Sequence, residues 1–364
     1  MFDTTRRKLM GALGVGTAVS LAGCAESTTR AATGDTAAQT TVEPEAATVA
    51  ADPTDIPGPI DRDQAVHHDV TLSAEEVTAE IESGVTFKFM TFDGQIPGPL
   101  IRVREGDTIS FTLENAPDSL MAHNVDFHAV YGTGGGSVAT TAGPGKANGM
   151  EFTARYPGLF IYHCAVPNLD YHISSGMFGA ILVEPAEGLP AVDREFYFGQ
   201  HEVYTDKKTG EAGHHQFNFG DMTREDPTYV LLNGEKYAYA ADNHGPLEAA
   251  VGETVRVFMV TGGPNLASNF HPIGNVWTEA YRDGAIASDP ERYVQTMAVP
   301  PGSAMIGHLD LPVASRIHFV DHALSRVTRK GMKADLDVIG EDDPDVFDPS
   351  PDLASSQDEE GPMY

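Results

Sequence analysis

Alternating apolar and polar positions dominate the middle of the chain. Leu100-Ile101-Arg102-Val103-Arg104, then Gly106-Asp107, then Thr108-Ile109-Ser110-Phe111-Thr112-Leu113 reads as strand, turn, strand. The phrase returns as Leu247-Glu248-Ala249-Ala250-Val251, Gly252-Glu253 and Thr254-Val255-Arg256-Val257-Phe258. Two copies of one turn, REGDT and VGET, point to internal duplication. The fold class expected is all-β: two tandem β-sandwich domains at residues 61–190 and 191–340, joined near Leu189 to Glu195. Each holds about 100 to 150 residues, an ordinary size for one core.

The flanks break this pattern. Thr5-Arg6-Arg7-Lys8-Leu9-Met10 is a twin-arginine start, and the apolar run from Gly11 to Leu21 falls short of the ~20 residues a membrane helix needs. Leu21-Ala22-Gly23-Cys24 then has the form of a lipobox, with Cys24 as the lipidated residue after cleavage. Residues 1–24 are thus expected to direct twin-arginine export to the outer face of the cytoplasmic membrane, lipid-anchored, or to a periplasm-like space, with lipid as the only membrane attachment. Residues 25–60, rich in Ala, Thr, Pro and acids, read as a flexible tether. Residues 341–364, dense in Asp, Glu, Pro and Ser, read as an acidic tail without regular structure.

Charge narrows the partners. Fifty-three acidic against 23 basic residues give a formal charge of -30, while 41% hydrophobic content leaves ample material for a core. Such a surface excludes nucleic acid and suits a salty habitat, where ions screen the self-repulsion. It also favours a redox partner that is locally basic or itself adapted to high salt.

Candidate chemistry is concentrated between His123 and Met177. His123, Cys164, His172 and Met177 form a set with one thiolate, two imidazoles and a thioether; the small residues Ser174, Ser175 and Gly176 precede the Met, as in a tight loop. A one-electron copper centre needs that combination, because a soft thiolate and a weak axial sulfur let Cu(I) and Cu(II) share nearly one geometry. His128 and His163 form a second set. Successive residues on a strand face opposite ways, so His163 and Cys164 should serve two metals on either side of one backbone. The five-residue offset from His123 to His128 does the same on an unbroken strand. A copper held by imidazoles alone keeps a position open for water or substrate. Each residue has a plainer reading as core histidine or buried thiol, but six at compatible spacings argue for metal.

The runs HNVDFHA, PGLFIYHCAV, HISSGMFGAILVEP, SNFHPIG and FVDHAL resemble the copper-containing nitrite reductases, from about Asp61 to Gly340. With seven residues between Cys164 and His172, the chain is most similar to a short-loop subgroup that includes lipid-anchored members. The resemblance implies two cupredoxin (Greek-key) domains, assembled as a homotrimer. It implies type 1 copper on His123, Cys164, His172 and Met177, and type 2 copper on His128 and His163 with His322 from a neighbouring subunit. It also implies an acid pair, Asp126 and His271, with Ile273 shaping the nitrite pocket. The activity implied is one-electron reduction of nitrite to nitric oxide and water, fed by a small blue copper protein or a cytochrome.

From the residues themselves, Asp126 lies between two ligand histidines and so near the metal, and a histidine such as His271 can deliver a proton near neutral pH. Two other functions compete. A two-domain multicopper oxidase needs paired His-x-His motifs, which the chain lacks; its run is His163-Cys164-Ala165. A simple cupredoxin electron carrier needs the first set alone and leaves Asp126, His128, His271 and His322 without a role. His67, His68, His201, His214, His215, His244, His308 and His318 read as structural or surface residues, with His214-His215 able to take up adventitious metal.

Overall fold

The computed structural model describes residues 47–349. The twin-arginine segment, Cys24, most of the tether and residues 350–364 lie outside the described residues. What is described is mostly β, and no helix there is long and apolar enough to cross a membrane.

The two predicted strand–turn–strand phrases each step from one sheet to another. Ile101–Arg104 pairs in parallel with Phe178–Glu184, whereas Thr108–Asn115 pairs in parallel with His67–Glu82. In the second copy Leu247–Ala250 runs parallel to Lys333–Ile339, and Thr254–Gly263 parallel to Arg194–Val203. The turns share their chemistry as well. Asp107 and Glu253 each accept the backbone N–H of the residue three before, Arg104 at 2.7 Å and Ala250 at 2.9 Å. Gly106 and Gly252, at φ 90° and 88°, supply the left-handed backbone that this reversal requires. The duplication read from sequence is thus a repeated sheet-to-sheet crossing.

Four sheets result. A five-stranded sheet centred on His67–Glu82 faces a four-stranded sheet centred on Gly158–His163 and Phe178–Glu184. The second copy has a six-stranded sheet around Thr254–Gly263 and a five-stranded one around Ser315–Asp321. One apolar cluster lies within each copy, and a third, with Phe89, Leu182, Tyr197, Val260 and Ile306, draws on both.

Two segments go where composition did not send them. Residues 47–60, assigned to the tether, pack in part on the sandwiches: Val49 and Ala51 are buried, Ile96 N donates to Val49 O at 2.7 Å, and Asn233 and Tyr239 both donate to Ala51 O at 2.8 Å. Backbone hydrogen bonds hold this stretch, so side-chain composition gave no sign of it. Gly213–His215, from the second half, adds in parallel to Val85–Phe92 of the first. The start of the tail, residues 341–349, has neither helix nor strand.

Where the copies meet, charge is buried. Arg102, fully buried, donates to Glu184 at 2.5 Å and Glu195 at 2.6 Å, and Glu195 also accepts from buried Arg256 at 2.7 Å. Removing one member strands the others in a medium of low polarity. Glu195→Gln should therefore cost about 3 to 5 kcal/mol, read as a lower denaturant midpoint, and an unchanged midpoint would refute a structural role for this network.

Candidate metal centres

The strand Gly158–His163 ends where the chemistry begins. His163 is its last residue and Cys164 follows, with Cys164 N donating to Met177 O at 3.1 Å. That bond holds the strand carrying Cys164 against the start of the strand that follows Met177.

Cys164 Sγ lies 3.5 Å from His172 Nδ1 and 3.9 Å from His123 Nδ1. The three ligand atoms fall within 4.8 Å of one another, the one such group of three among the described residues. All three residues and Met177 are buried. The short helix Leu169–Ser174 carries His172, and Met177 N donates to His172 O at 3.1 Å, which closes the ligand loop. Gly176 is required there twice over. Its φ is 116°, and an added Cβ would come within 2.3 Å of Ile96.

Burial governs the protonation of this set. It lowers the pKa of His172 to about 4, with His123 adding to the effect, and lowers that of His123 as well. It pushes the Cys164 thiol up to about 11, against opposing backbone hydrogen bonds. Both imidazoles are therefore neutral near pH 7 with lone pairs free, and only the thiol has a proton to release to an incoming cation. A dry pocket of two imidazoles, a thiol and a thioether fits copper and not a hard cation such as Ca²⁺.

His128 and His163 form a separate pair, their Nε2 atoms 3.1 Å apart. His163 Nδ1 lies 3.1 Å from Cys164 O; donating there fixes the tautomer with Nε2 free for a metal. His128 has its pKa lowered by burial first and by His163 next, so it too offers a lone pair. Asp126 sits opposite His163 in the antiparallel pairing.

His123 and His128 thus reach different donor sets, as expected, but not by simple alternation. The only regular strand between them is Asp126–Phe127. Upstream, side chains replace the ladder: Val125 N donates to Thr140 Oγ1 at 2.9 Å, and Asn124 Oδ1 accepts from Ala165 N at 2.7 Å. The same Asn124 oxygen accepts from the Cys164 thiol at 3.8 Å, so it ties the two ligand segments together.

His271, Ile273 and His322 gather elsewhere. They line an apolar cavity of roughly 290 Å³ with Val320, Leu324 and Val327. The two imidazoles meet edge to face at 5.2 Å, and His271 Nδ1 lies 2.6 Å from Gln295 O, which directs Nε2 away from that bond. Among the described residues of one chain, this group makes no hydrogen bond, ion pair or ring contact with His128 or His163.

The other histidines have structural partners. His68 binds Asp107, His215 binds Thr205, His244 binds Glu235, His308 binds Glu279 and His318 binds Asp335. His67 and His214 bond to surface threonines, and buried His201 lies 2.9 Å from Ser174 O.

Two site residues escaped sequence reasoning. Asn124 is one, and its position next to His123 was the available signal. Gly135 is the other, within the run Gly134-Gly135-Gly136. At φ 54° it packs over Asp126, and a Cβ there would fall 1.9 Å from Asp126 Oδ1.

Residues 73–188 match the multicopper oxidase family. A copper-containing nitrite reductase of Neisseria meningitidis serogroup B is 43% identical over 293 residues, covering 80% of this chain and 74% of that protein. One from Rhizobium sullae is 33% identical, covering 77% and 78%. The structure of a copper nitrite reductase from Nitrosomonas europaea superposes with a TM-score of 0.68 at 33% identity, covering 76% of this chain and 96% of that one.

Two substitutions test the site. Cys164→Ala should abolish the intense visible absorption of a thiolate copper, and retained colour would exclude the thiolate assignment. Gly135→Ala, by displacing Asp126, should slow turnover about 100-fold with copper content unchanged, whereas a wild-type rate would free Asp126 from any need for that placement. By fold, donor sets and kinship, the chain belongs to the copper-containing nitrite reductases.

Proposed function

We propose that the enzyme works as a homotrimer in which each catalytic site is closed by two copies of the chain. The observation that carries this is the separation of two half-sites: His128, His163 and Asp126 in one place, His271, Ile273 and His322 in another. Two imidazoles are too few for a stable catalytic metal site, and the third candidate lies in a different cavity of the same chain. A head-to-tail ring brings unlike surfaces together at every interface and joins such halves without leaving either unfilled.

In this reading His123, Cys164, His172 and Met177 hold type 1 copper, and His128 and His163 with a neighbour's His322 hold type 2 copper. Bound copper supplies the one-electron redox step and a positive charge that attracts an anion the acidic surface would repel. The overall reaction is nitrite plus one electron plus two protons to nitric oxide plus water. The oxygen released must leave as water, so proton donors must stand at the site when the N–O bond breaks. The Asp126 carboxyl and His271 Nε2 fill that role from the two half-sites. Ile273 shapes the nitrite pocket with an apolar wall.

Cys164 and His163 are consecutive, so one stretch of backbone joins the two donor sets. The contact from His163 Nδ1 to Cys164 O, at 3.1 Å, adds a hydrogen-bonded link beside the covalent one. The donor is a small blue copper protein or a cytochrome. Export by the twin-arginine route and lipidation at Cys24 hold the enzyme on the outer face of the cytoplasmic membrane, and the charge of -30 adapts it to salt. An oxidase would need paired His-x-His ligands for its oxygen site, and the sequence has none.

Nitric oxide release from nitrite by copper-loaded protein in high salt, with copper counted per chain, tests the reading. Two coppers and nitric oxide are expected; one copper without turnover leaves an electron carrier. Asp126→Asn and His271→Ala should each slow turnover about 100-fold or more with both coppers retained, and unaffected rates across pH would remove the proton-donor role. Inactive His128→Ala and His322→Ala proteins, mixed equally and reassembled, should recover about one quarter of wild-type activity, the fraction of random interfaces that pair two intact halves. No recovery would place His322 outside a shared site.

A further inference from the structure

Glu76 lies in the long strand His67–Glu82, far in sequence from every candidate ligand. Its side chain is 4% exposed, and Oε1 approaches His123 Nε2 at 3.9 Å. His123 is fully buried, and its Nε2 has no hydrogen-bond partner among the described residues. Among the described residues, the Glu76 carboxylate is thus the anionic group that the outward nitrogen of this imidazole meets, while Nδ1 turns to the Cys164 thiol. Oε1 also accepts the backbone N–H groups of Leu120 at 2.6 Å and Met121 at 3.2 Å, which lead directly into His123. Oε2 pairs with Lys88 Nζ at 2.5 Å on the adjacent strand.

Lys88 and the two backbone donors surround the carboxylate and offset its burial, and they lower its pKa from the ordinary glutamate value. Its field reaches His172 and Tyr171 as well as His123.

We propose that Glu76 is a positioning residue for the thiolate copper centre: it fixes His123 as the tautomer protonated on Nε2, steadies the Leu120–His123 segment, and holds the reduction potential down by placing a negative charge behind the ligand. This rests on the assignment of His123 to type 1 copper. Second-layer carboxylates raise the basicity of a ligating imidazole, and a nearby anion stabilises Cu(II) over Cu(I). Lys88 trims the effect, since its ammonium offsets part of the charge that the metal would feel.

Glu76→Gln keeps the shape and the acceptor oxygen for Leu120 and Met121 but removes the charge. In copper-loaded, full-length protein it should favour reduction of the thiolate copper by about tenfold in equilibrium constant, about 59 mV for one electron, with the thiolate absorption retained. Lys88→Gln should move the potential the opposite way, and it carries the test alone if Glu76→Gln fails to fold. Wild-type protein without thiolate absorption would defeat the His123 assignment itself, before any comparison of variants. With that absorption present, an unshifted potential in Glu76→Gln, or a shift of the same sign in both variants, would overturn the proposal and leave Glu76 a purely structural anchor.

Discussion

Everything in this molecule hangs on two consecutive residues, His163 and Cys164, at the end of one strand. A backbone leaving a sheet presents neighbouring side chains to opposite sides, so the imidazole goes to His128 and the thiol to His123 and His172. No residue separates the two donor sets along the chain. The surrounding architecture reads as the means of keeping that junction rigid. Met177 O receives Cys164 N, Asn124 bridges Cys164 and Ala165, and Asp126 pairs across from His163. Close packing and satisfied backbone groups leave these side chains little freedom, and electron transfer benefits when a metal changes charge without changing its surroundings.

The repeated architecture frames the rest of the site. Each copy repeats the same parallel crossings and the same carboxylate-closed turn. In the second copy, Ser268–Ile273 pairs with Ser315–Asp321 much as Asp126–Phe127 pairs with Gly158–His163 in the first. The corresponding corner of the second sandwich holds no thiol; it offers His271, Ile273 and His322 around an apolar cavity. One copy therefore holds the donor set of thiol, imidazoles and thioether, and the other holds two histidines and Ile273 beside an apolar cavity. The buried Arg102, Glu184, Glu195 and Arg256 network and the mixed apolar cluster join them across their common face.

What could be read beforehand was whatever is local in sequence. Ligand types at fixed spacings and the repeated turn lie within short windows, and the structure brings His123, Cys164 and His172 together and repeats the turn. Features set by distant partners stayed hidden. Glu76 lies nearly fifty positions before His123, and a lone glutamate in an alternating strand looks like a solvated one. Residues 47–60 looked like linker because composition does not record long-range partners, whereas Val49 joins the apolar core and Val49 and Ala51 hydrogen-bond through their backbone. The path from His123 to His128 was read as strand because only side-chain parity was visible; Thr140 and Asn124 take over its hydrogen bonds and break the ladder.

Charge supplies the remaining constraint. Several acids are buried, and those carry specific tasks: Asp107 closes a turn, Glu195 joins two arginines, Asp321 receives Arg326, and Glu76 faces a ligand. Each has cations or N–H groups that offset its desolvation, as burial of a carboxylate demands. With 23 basic residues against 53 acids, such pairing inside leaves the surplus negative charge to the surface. That surplus repels nitrite at long range and is screened within about a Debye length, roughly 8 Å at physiological ionic strength and less in stronger salt. A substrate anion therefore meets an attractive site only when the metal's own charge lies close and the surface field is screened. Added salt screens both the self-repulsion of an acidic surface and the repulsion of an approaching anion.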